Sequence, residues 1–361
     1  MSLDHYVTLG HSGLRVSPFC LGAMTFGEEW GWGSSESDSM RILDHYIDRG
    51  GNFIDTANAY TKGHSEKIIG DHVARDPKKR DRLVIATKFM CNMFLGDPNG
   101  GGASRKGVIA QCEESLRRLQ TDYIDLYWMH FWDRFTPVEE TMAALDTLVQ
   151  QGKVRYIGFS DTPAWKVAQA QTLAHFRGYP SLIALQIEYS LLQRTVEGEL
   201  IPMAQELGLG VTPWSPLKGG VLSGKYKRED HGKHAPGRGA RIVNLLDERT
   251  YTLLDLMGRI AGKLDTTVAR VALAWLRARP GVTSPIIGAR TLDQLDDNVA
   301  ALDMTLTQEQ MTELNEASTP KLASPADFVA ASTMFYFGGA TIDGQRSEVW
   351  SQAPQSDAER Y

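Results

Sequence analysis

Short, nearly continuous apolar stretches that end in polar residues recur along the chain: SPFCLGAM (17–24), NFIDTA (52–57), RLVIATK (82–88), YIDLYWMH (123–130), VRYIGFS (154–160), LIALQIEY (182–189), LGVTPWS (209–215) and TSPIIG (283–288). A strand with one wet face alternates apolar and polar residues. These eight stretches do not, and Val and Ile are frequent in them, as expected for parallel strands covered on both faces. Between them the apolar spacing changes to that of helices. The stretch 104–120 opens at Ser104, a good N-cap, and aligns Val108, Cys112, Leu116 and Leu119, with Glu113/Arg117 and Glu114/Arg118 one turn apart. The stretch 138–151 aligns Val138, Met142, Leu145 and Val149 and stops at Gln151-Gly152.

The polar ends of the stretches, at 24, 55, 88, 130, 160, 186, 214 and 287, fall 26 to 42 residues apart six times, and the last interval is 73. One strand, one helix and two short loops fill each of the shorter intervals. Eightfold strand–helix alternation predicts an α/β fold of the (β/α)8 TIM-barrel type, with catalytic groups at the C-terminal ends of the strands. An open doubly wound sheet is the alternative. Three stretches are extra: an N-terminal region 1–19 whose VTLGHSGLRV (7–16) reads as a hairpin, an insertion 216–264 after the seventh strand, and a C-terminal extension 302–361. The insertion combines a Gly- and cation-rich loop (218–241) with a helix near 247–263, and the extension carries a helix over 307–317 and an irregular tail. Without the three, 233 of 361 residues remain, close to the ~250 of such a barrel, so 1–361 is expected to be a single domain.

Composition narrows the partners. Lys+Arg 38 against Asp+Glu 44 gives a net charge of −6 with no block of one sign, which argues against nucleic acid or an anionic membrane as ligand and for a small molecule. Cys20, Cys91 and Cys112 have neither even number nor metal-ligand spacing, so no disulfide framework or metal site is expected. The first residues lack a signal-peptide pattern, and a cytoplasmic protein is expected. The oligomeric state is left open.

G-x-G-x-x-G, H-E-x-x-H and G-x-S-x-G are absent, and GGVLSGKY (219–226) has Tyr226 where a P-loop needs Ser or Thr. The strand ends hold more chemistry: Asp55, Tyr60 five residues later, Lys88 and His130 come from three successive strands. Each alone could cap, pack or face solvent. Together on one rim of a barrel they point to catalysis. If a carbonyl is reduced there by hydride, a proton must meet the oxygen as charge develops, and Tyr60 is the phenol beside Lys88 and Asp55. An ammonium favours tyrosinate, so Lys88 is expected to lower the pKa of Tyr60. Asp55 would keep Lys88 charged, and a neutral His130 would hold the carbonyl oxygen.

The chain resembles the aldo-keto reductases, through GNFIDTANAYTKGHSE (51–66), ATK (86–88), MH (129–130), GKVRYIGFS (152–160), QIEYS (186–190), TPWSPLKGGVLSGKY (212–226) and IIGARTLDQLDDN (286–298). Within that family it is most similar to the aryl-alcohol dehydrogenase-like branch. The resemblance implies NADPH-dependent reduction of aldehydes or ketones, aryl or small aliphatic, with Asp55, Tyr60, Lys88 and His130 as catalytic tetrad. It implies that Trp214 stacks on the nicotinamide and that Ser160, Asp161 and Gln186 lie at its carboxamide. Ser215, Pro216, Leu217, Gly219 and Lys225 then fall at the pyrophosphate, and Met24 and Thr25 at the end of the first strand. Gly288, Arg290 and Gln294 fall at the 2′-phosphate, and Asp297 and Asn298 at the adenine. Many relatives have Asn where Asp161 stands, and an ionised carboxylate cannot donate to the carboxamide oxygen. Trp30, Trp32, Phe89, Phe131 and Trp132 are candidates for an aromatic substrate wall, and FVAASTMFYF (328–337) for a cover over the pocket or padding on the barrel. Two other functions remain to be weighed: a redox-sensing cofactor-binding subunit resembling the potassium channel β-subunits, and an unrelated barrel hydrolase using Asp55.

Overall fold

A computed structural model describes residues 1–228, 242 and 245–360. Two short antiparallel strands, β1 (Val7–Thr8) and β2 (Arg15–Val16), form the N-terminal hairpin. Eight strands follow, seven inside the apolar stretches and β5 one residue beyond its own: β3 (Cys20–Gly22), β4 (Phe53–Asp55), β5 (Val84–Phe89), β6 (Ile124–Met129), β7 (Val154–Ser160), β8 (Leu182–Glu188), β9 (Gly210–Trp214) and β10 (Ile286–Gly288). All pair in parallel, in the order β10-β3-β4-β5-β6-β7-β8-β9. The seam between β9 and β10 is bridged where Thr283 N–H donates to the Val211 carbonyl at 2.8 Å. Helices lie between the strands, so this is a nearly closed (β/α)8 barrel, and the doubly wound alternative falls.

The absence of alternation in the strands has a direct cause. Along β5, Val84, Ala86 and Lys88 turn into the barrel and Ile85, Thr87 and Phe89 turn toward the helices, and all six are buried. Period-two geometry places neighbours on opposite faces, and both faces are dry. The inner cluster of Cys20, Phe53, Val84, Leu126, Ile183 and Ile286 also takes in Leu9 and Val16 of the hairpin. The hairpin therefore plugs the N-terminal mouth. Gly10, at φ +58°, runs against the Ile183 carbonyl, which a Cβ would approach to 2.1 Å. Only the C-terminal mouth is left for a ligand.

Helix Arg105–Leu119 starts where Ser104 accepts from Gly107 N–H at 3.2 Å, and helix Val138–Gln150 ends before Gly152 as its spacing predicts. The insertion helix is Glu248–Lys263, capped by Asp247. The predicted loop 218–241 lies outside the described residues from 229 onward. The tail differs from expectation. Beyond helix Gln308–Ala317 it forms two short helices, Ala326–Ala331 and Thr333–Phe337, and a ribbon pairing Thr341–Ile342 with Gln345–Arg346. The ribbon turns at Asp343-Gly344, both at positive φ, a hairpin dipeptide that the apolar pattern around it obscures. Phe328 stacks on Phe335, and Phe335 meets Trp350 edge-on, while Phe328 and Tyr336 stay over 60% exposed. The tail packs on itself and, through Ala326, against Gly198 of the barrel, and among the described residues none of it lines the cavity.

Candidate active site

The C-terminal strand ends surround a cavity of about 640 Å³. Asp55 ends β4, Lys88 sits in β5 and His130 follows β6. Tyr60 opens a tight turn in which Thr61, Lys62 and Gly63 all take positive φ (47°, 60° and 90°). A β-branched residue there is costly and needs outside support. Thr61 has it: its hydroxyl donates to the Phe26 carbonyl at 2.7 Å and accepts from Ser65 N–H at 3.0 Å. The turn swings the Tyr60 side chain back over β5 and into the cavity wall.

Lys88 is completely buried, and its ammonium has three donors to satisfy. All three are used: on the Asp55 carboxylate, on the Thr56 carbonyl at 2.8 Å and on the Tyr60 hydroxyl oxygen at 3.1 Å. Because the Tyr60 oxygen accepts from Lys88, its own proton is left to the cavity that Tyr60 lines. Gln186 donates to the second Asp55 oxygen at 3.0 Å, which fixes the carboxylate from the other side. Burial pulls the Lys88 pKa down, but Asp55 and Tyr60 more than offset it, so Lys88 stays charged.

Lys88 pulls the Tyr60 pKa down as expected, yet the net shift is upward. The Tyr60 pKa lies above the ordinary phenol value, because burial outweighs the pull of Lys88 and Asp55 works against that pull. Lys88 does lower it, through its charge and its hydrogen bond, but burial of the phenol is the larger effect. Tyr60 is thus protonated at neutral pH. His130, whose ring stands 5.8 Å from that of Tyr60 and edge-on to it, has its pKa lowered to about 3 by burial and by Lys88. It is neutral in the folded protein across the physiological range.

This makes His130 a source of acid sensitivity. Below its unfolded pKa of about 6.5 the unfolded chain binds a proton that the folded chain refuses, so stability is lost as pH falls from there toward 3. Urea unfolding should show wild type losing about 1.4 kcal/mol per pH unit more than His130→Asn between pH 6 and pH 4. Equal slopes would mean that His130 is not buried neutral.

The rest of the cavity is lined by every residue that the sequence assigned to a cofactor, from Met24 and Thr25 through Ser160, Asp161, Gln186, Trp214, Ser215, Pro216, Leu217, Gly219 and Lys225 to Gly288, Arg290, Gln294, Asp297 and Asn298. Ser160 Oγ is buried in its wall without a hydrogen-bond partner. An amide such as a nicotinamide carboxamide would supply one, so the residues present fit that group. Trp214 Nε1–H donates to Asp161 Oδ1 at 3.1 Å, and Asp161 holds a left-handed backbone (φ +39°). Ser215 Oγ accepts from Gly219 N–H at 3.1 Å, and Gly219 and Gly220 follow at φ +64° and +94°. A Cβ on Gly220 would press on Lys225 Nζ at 3.0 Å, so glycine keeps that ammonium close to the loop.

After β10, Thr291 caps helix Leu292–Ala300, Gln294 accepts from Arg290 N–H at 2.9 Å, and Asn298 donates to the Gly288 carbonyl at 3.1 Å. Asp297 is bound to Arg270 at 2.8 Å. Gly22, Ser223, Ala269, Ile286, Ile287, Ala289 and Asp293 also line the cavity without having stood out in the sequence. Most adjoin assigned residues within the same loops. Ala269 sits on helix Val268–Arg277, which reaches the cavity only through the fold.

The aromatic candidates separate. Phe131 lines the cavity. Trp30 stands edge-on to Tyr60 at 6.2 Å, and Trp32 packs on Trp30 at 5.4 Å; neither lines the main cavity. Phe89 is a correction: adjacent to an inward Lys88 it must face outward, and it packs on Tyr127 in the helix layer. Trp132 is another, for it packs against that outer core, with Lys166 Nζ 4.9 Å from its ring.

Residues 18–319 match the family model described as Aldo/keto reductase family. The chain belongs to the aldo/keto reductase family. It is similar to the uncharacterised oxidoreductase YrpG of Bacillus subtilis, 41% identical over 86% of this chain and 95% of that one. It is also similar to an aryl-alcohol dehydrogenase of Pestalotiopsis microspora, 35% identical over 93% and 86%, and to a norsolorinic acid reductase of Aspergillus flavus, 34% identical over 90% and 84%. Members of this family of oxidoreductases generally use nicotinamide cofactors. No helix among the described residues of this aldo/keto reductase is long and apolar enough to cross a membrane.

Proposed function

We propose that this aldo/keto reductase is an NADPH-dependent carbonyl reductase acting on aldehydes and ketones, aryl carbonyls foremost, with Tyr60 as general acid. The observation that carries the proposal is the saturated Lys88, which holds the Tyr60 oxygen as acceptor and leaves the phenol proton to the cavity. A nicotinamide held by Ser160, Gln186 and Trp214 would supply a hydride to the carbonyl carbon. Tyr60 gives its proton to the oxygen as negative charge builds there, and Lys88 stabilises the tyrosinate left behind. Neutral His130 donates to the same oxygen and orients it. Phe131, with Trp30 beside Tyr60, offers apolar surface to an aryl ring. The names of the aryl-alcohol dehydrogenase and norsolorinic acid reductase relatives agree with a carbonyl on an aromatic framework.

Arg290, Gln294 and the capped start of helix Leu292–Ala300 form the 2′-phosphate site, since a helix N-terminus with a guanidinium suits a dianion. Replacing Arg290 by Ala removes a charge-assisted bond of about 1.5–3 kcal/mol, so NADPH affinity should fall about 10- to 100-fold. NADH affinity should stay within about twofold. Titration of Trp214 fluorescence with both cofactors measures this, and equal affinities for NADPH and NADH in the wild type would remove the 2′-phosphate assignment.

A further inference from the structure

The carboxylates near the nicotinamide end of the cavity are not alike. Asp55 is neutralised by Lys88, and Glu188 on β8 is neutralised by Lys218 at 2.7 Å. Asp161, which lines the cavity just after β7, has a neutral indole as its partner: Trp214 Nε1–H on β9 binds its Oδ1 at 3.1 Å. That bond fixes the carboxyl beside the aromatic ring and leaves its charge uncompensated. His130 is neutral, and Lys88 is already spent on Asp55.

Resting on the cofactor reading above, we propose that Asp161 biases the site toward the oxidised cofactor. The physical reason is a difference of one charge. The nicotinamide ring is cationic when oxidised and neutral when reduced, so a fixed anion beside it stabilises one redox form and barely affects the other. An Asn there, as in many relatives, accepts the same indole bond through its Oδ1 and tolerates the same left-handed backbone, but carries no charge. The substitution Asp161→Asn therefore isolates the charge. The attraction between such a pair of unlike charges is weakened by the solvent around it. The outer edge of Asp161 meets solvent, so a roughly tenfold change in affinity ratio is expected. For a two-electron couple, tenfold lowers the potential of the bound cofactor by about 30 mV. The consequence is a site that retains oxidised cofactor and releases it slowly after a reduction.

The test is equilibrium binding of NADP⁺ and of NADPH, by calorimetry, to full-length wild type and Asp161→Asn. At pH 8 the ratio Kd(NADPH)/Kd(NADP⁺) should be about tenfold higher in wild type than in the variant. Burial raises the Asp161 pKa to about 6, with Glu188 also raising it and the Trp214 bond and Lys88 lowering it. Near pH 5 the carboxyl is mostly neutral and the two ratios should converge. Phosphate titration affects both cofactor forms and cancels in the ratio. If both proteins bind both forms with the same ratio at pH 8, the bias is wrong while the cofactor site stands. If neither form binds wild type, the cofactor reading itself is overturned.

Discussion

Tyr60→Phe should lower the turnover of NADPH-dependent aldehyde reduction about a thousandfold or more while NADPH affinity stays within about twofold. A positioned general acid contributes roughly 10²–10⁴-fold, and the alkoxide that forms without one is a far poorer product. No other group among the described residues stands in the same relation to Lys88 as the Tyr60 oxygen, which accepts from it at 3.1 Å. Phe keeps the ring that packs between Trp30 and His130, so the turn at Thr61–Gly63 and the cavity survive. Stopped-flow absorbance and cofactor titration separate chemistry from binding. Wild-type-like turnover in the variant would assign the proton to another group.

Lys88→Met should lose activity to a similar degree and should also destabilise the fold by about 3–5 kcal/mol, because it strands the 2%-exposed Asp55 as an unpaired carboxylate. Asp55 then keeps one bond, from Gln186. The double variant Asp55→Asn/Lys88→Met removes the stranded charge and should regain a substantial part of that stability, though none of the activity. Urea unfolding at pH 7 measures both. A single variant as stable as wild type would show that Asp55 and Lys88 do not form a charged pair in the folded protein.

The fold was legible because a two-sided sheet and amphipathic helices write different periods into a chain. Eight non-alternating stretches marked eight strands, and the spacing of Val108, Cys112, Leu116 and Leu119 marked a helix whose cap, Ser104, is where it was expected. Strand ends were less legible: SPFCLGAM contributes only Cys20–Gly22, since apolar residues also line loops that dive into the core. Of the tetrad, the strand-end positions identified Asp55, Lys88 and His130, and Tyr60 needed chemistry, because only the strained turn at Thr61 brings it back to Lys88. Phe89 and Trp132 failed for the opposite reason. Adjacency to a site residue within a strand or loop says nothing about facing, and in β5 it dictates the opposite face. The upward pKa of Tyr60 was hidden too, since it comes first from how deeply the fold buries the phenol.

The central claim is that hydride passes to a carbonyl in this cavity with the proton supplied by Tyr60. The most direct measurement supplies NADPH carrying deuterium at its transferable C4 position, with benzaldehyde, and reads the label in the product by mass spectrometry. Wild type should give benzyl alcohol with one deuterium on the carbinol carbon, and Tyr60→Phe should give almost none in the same time. If wild type binds NADPH but yields no labelled alcohol from benzaldehyde or from a panel of aryl and aliphatic carbonyls, the claim is contradicted.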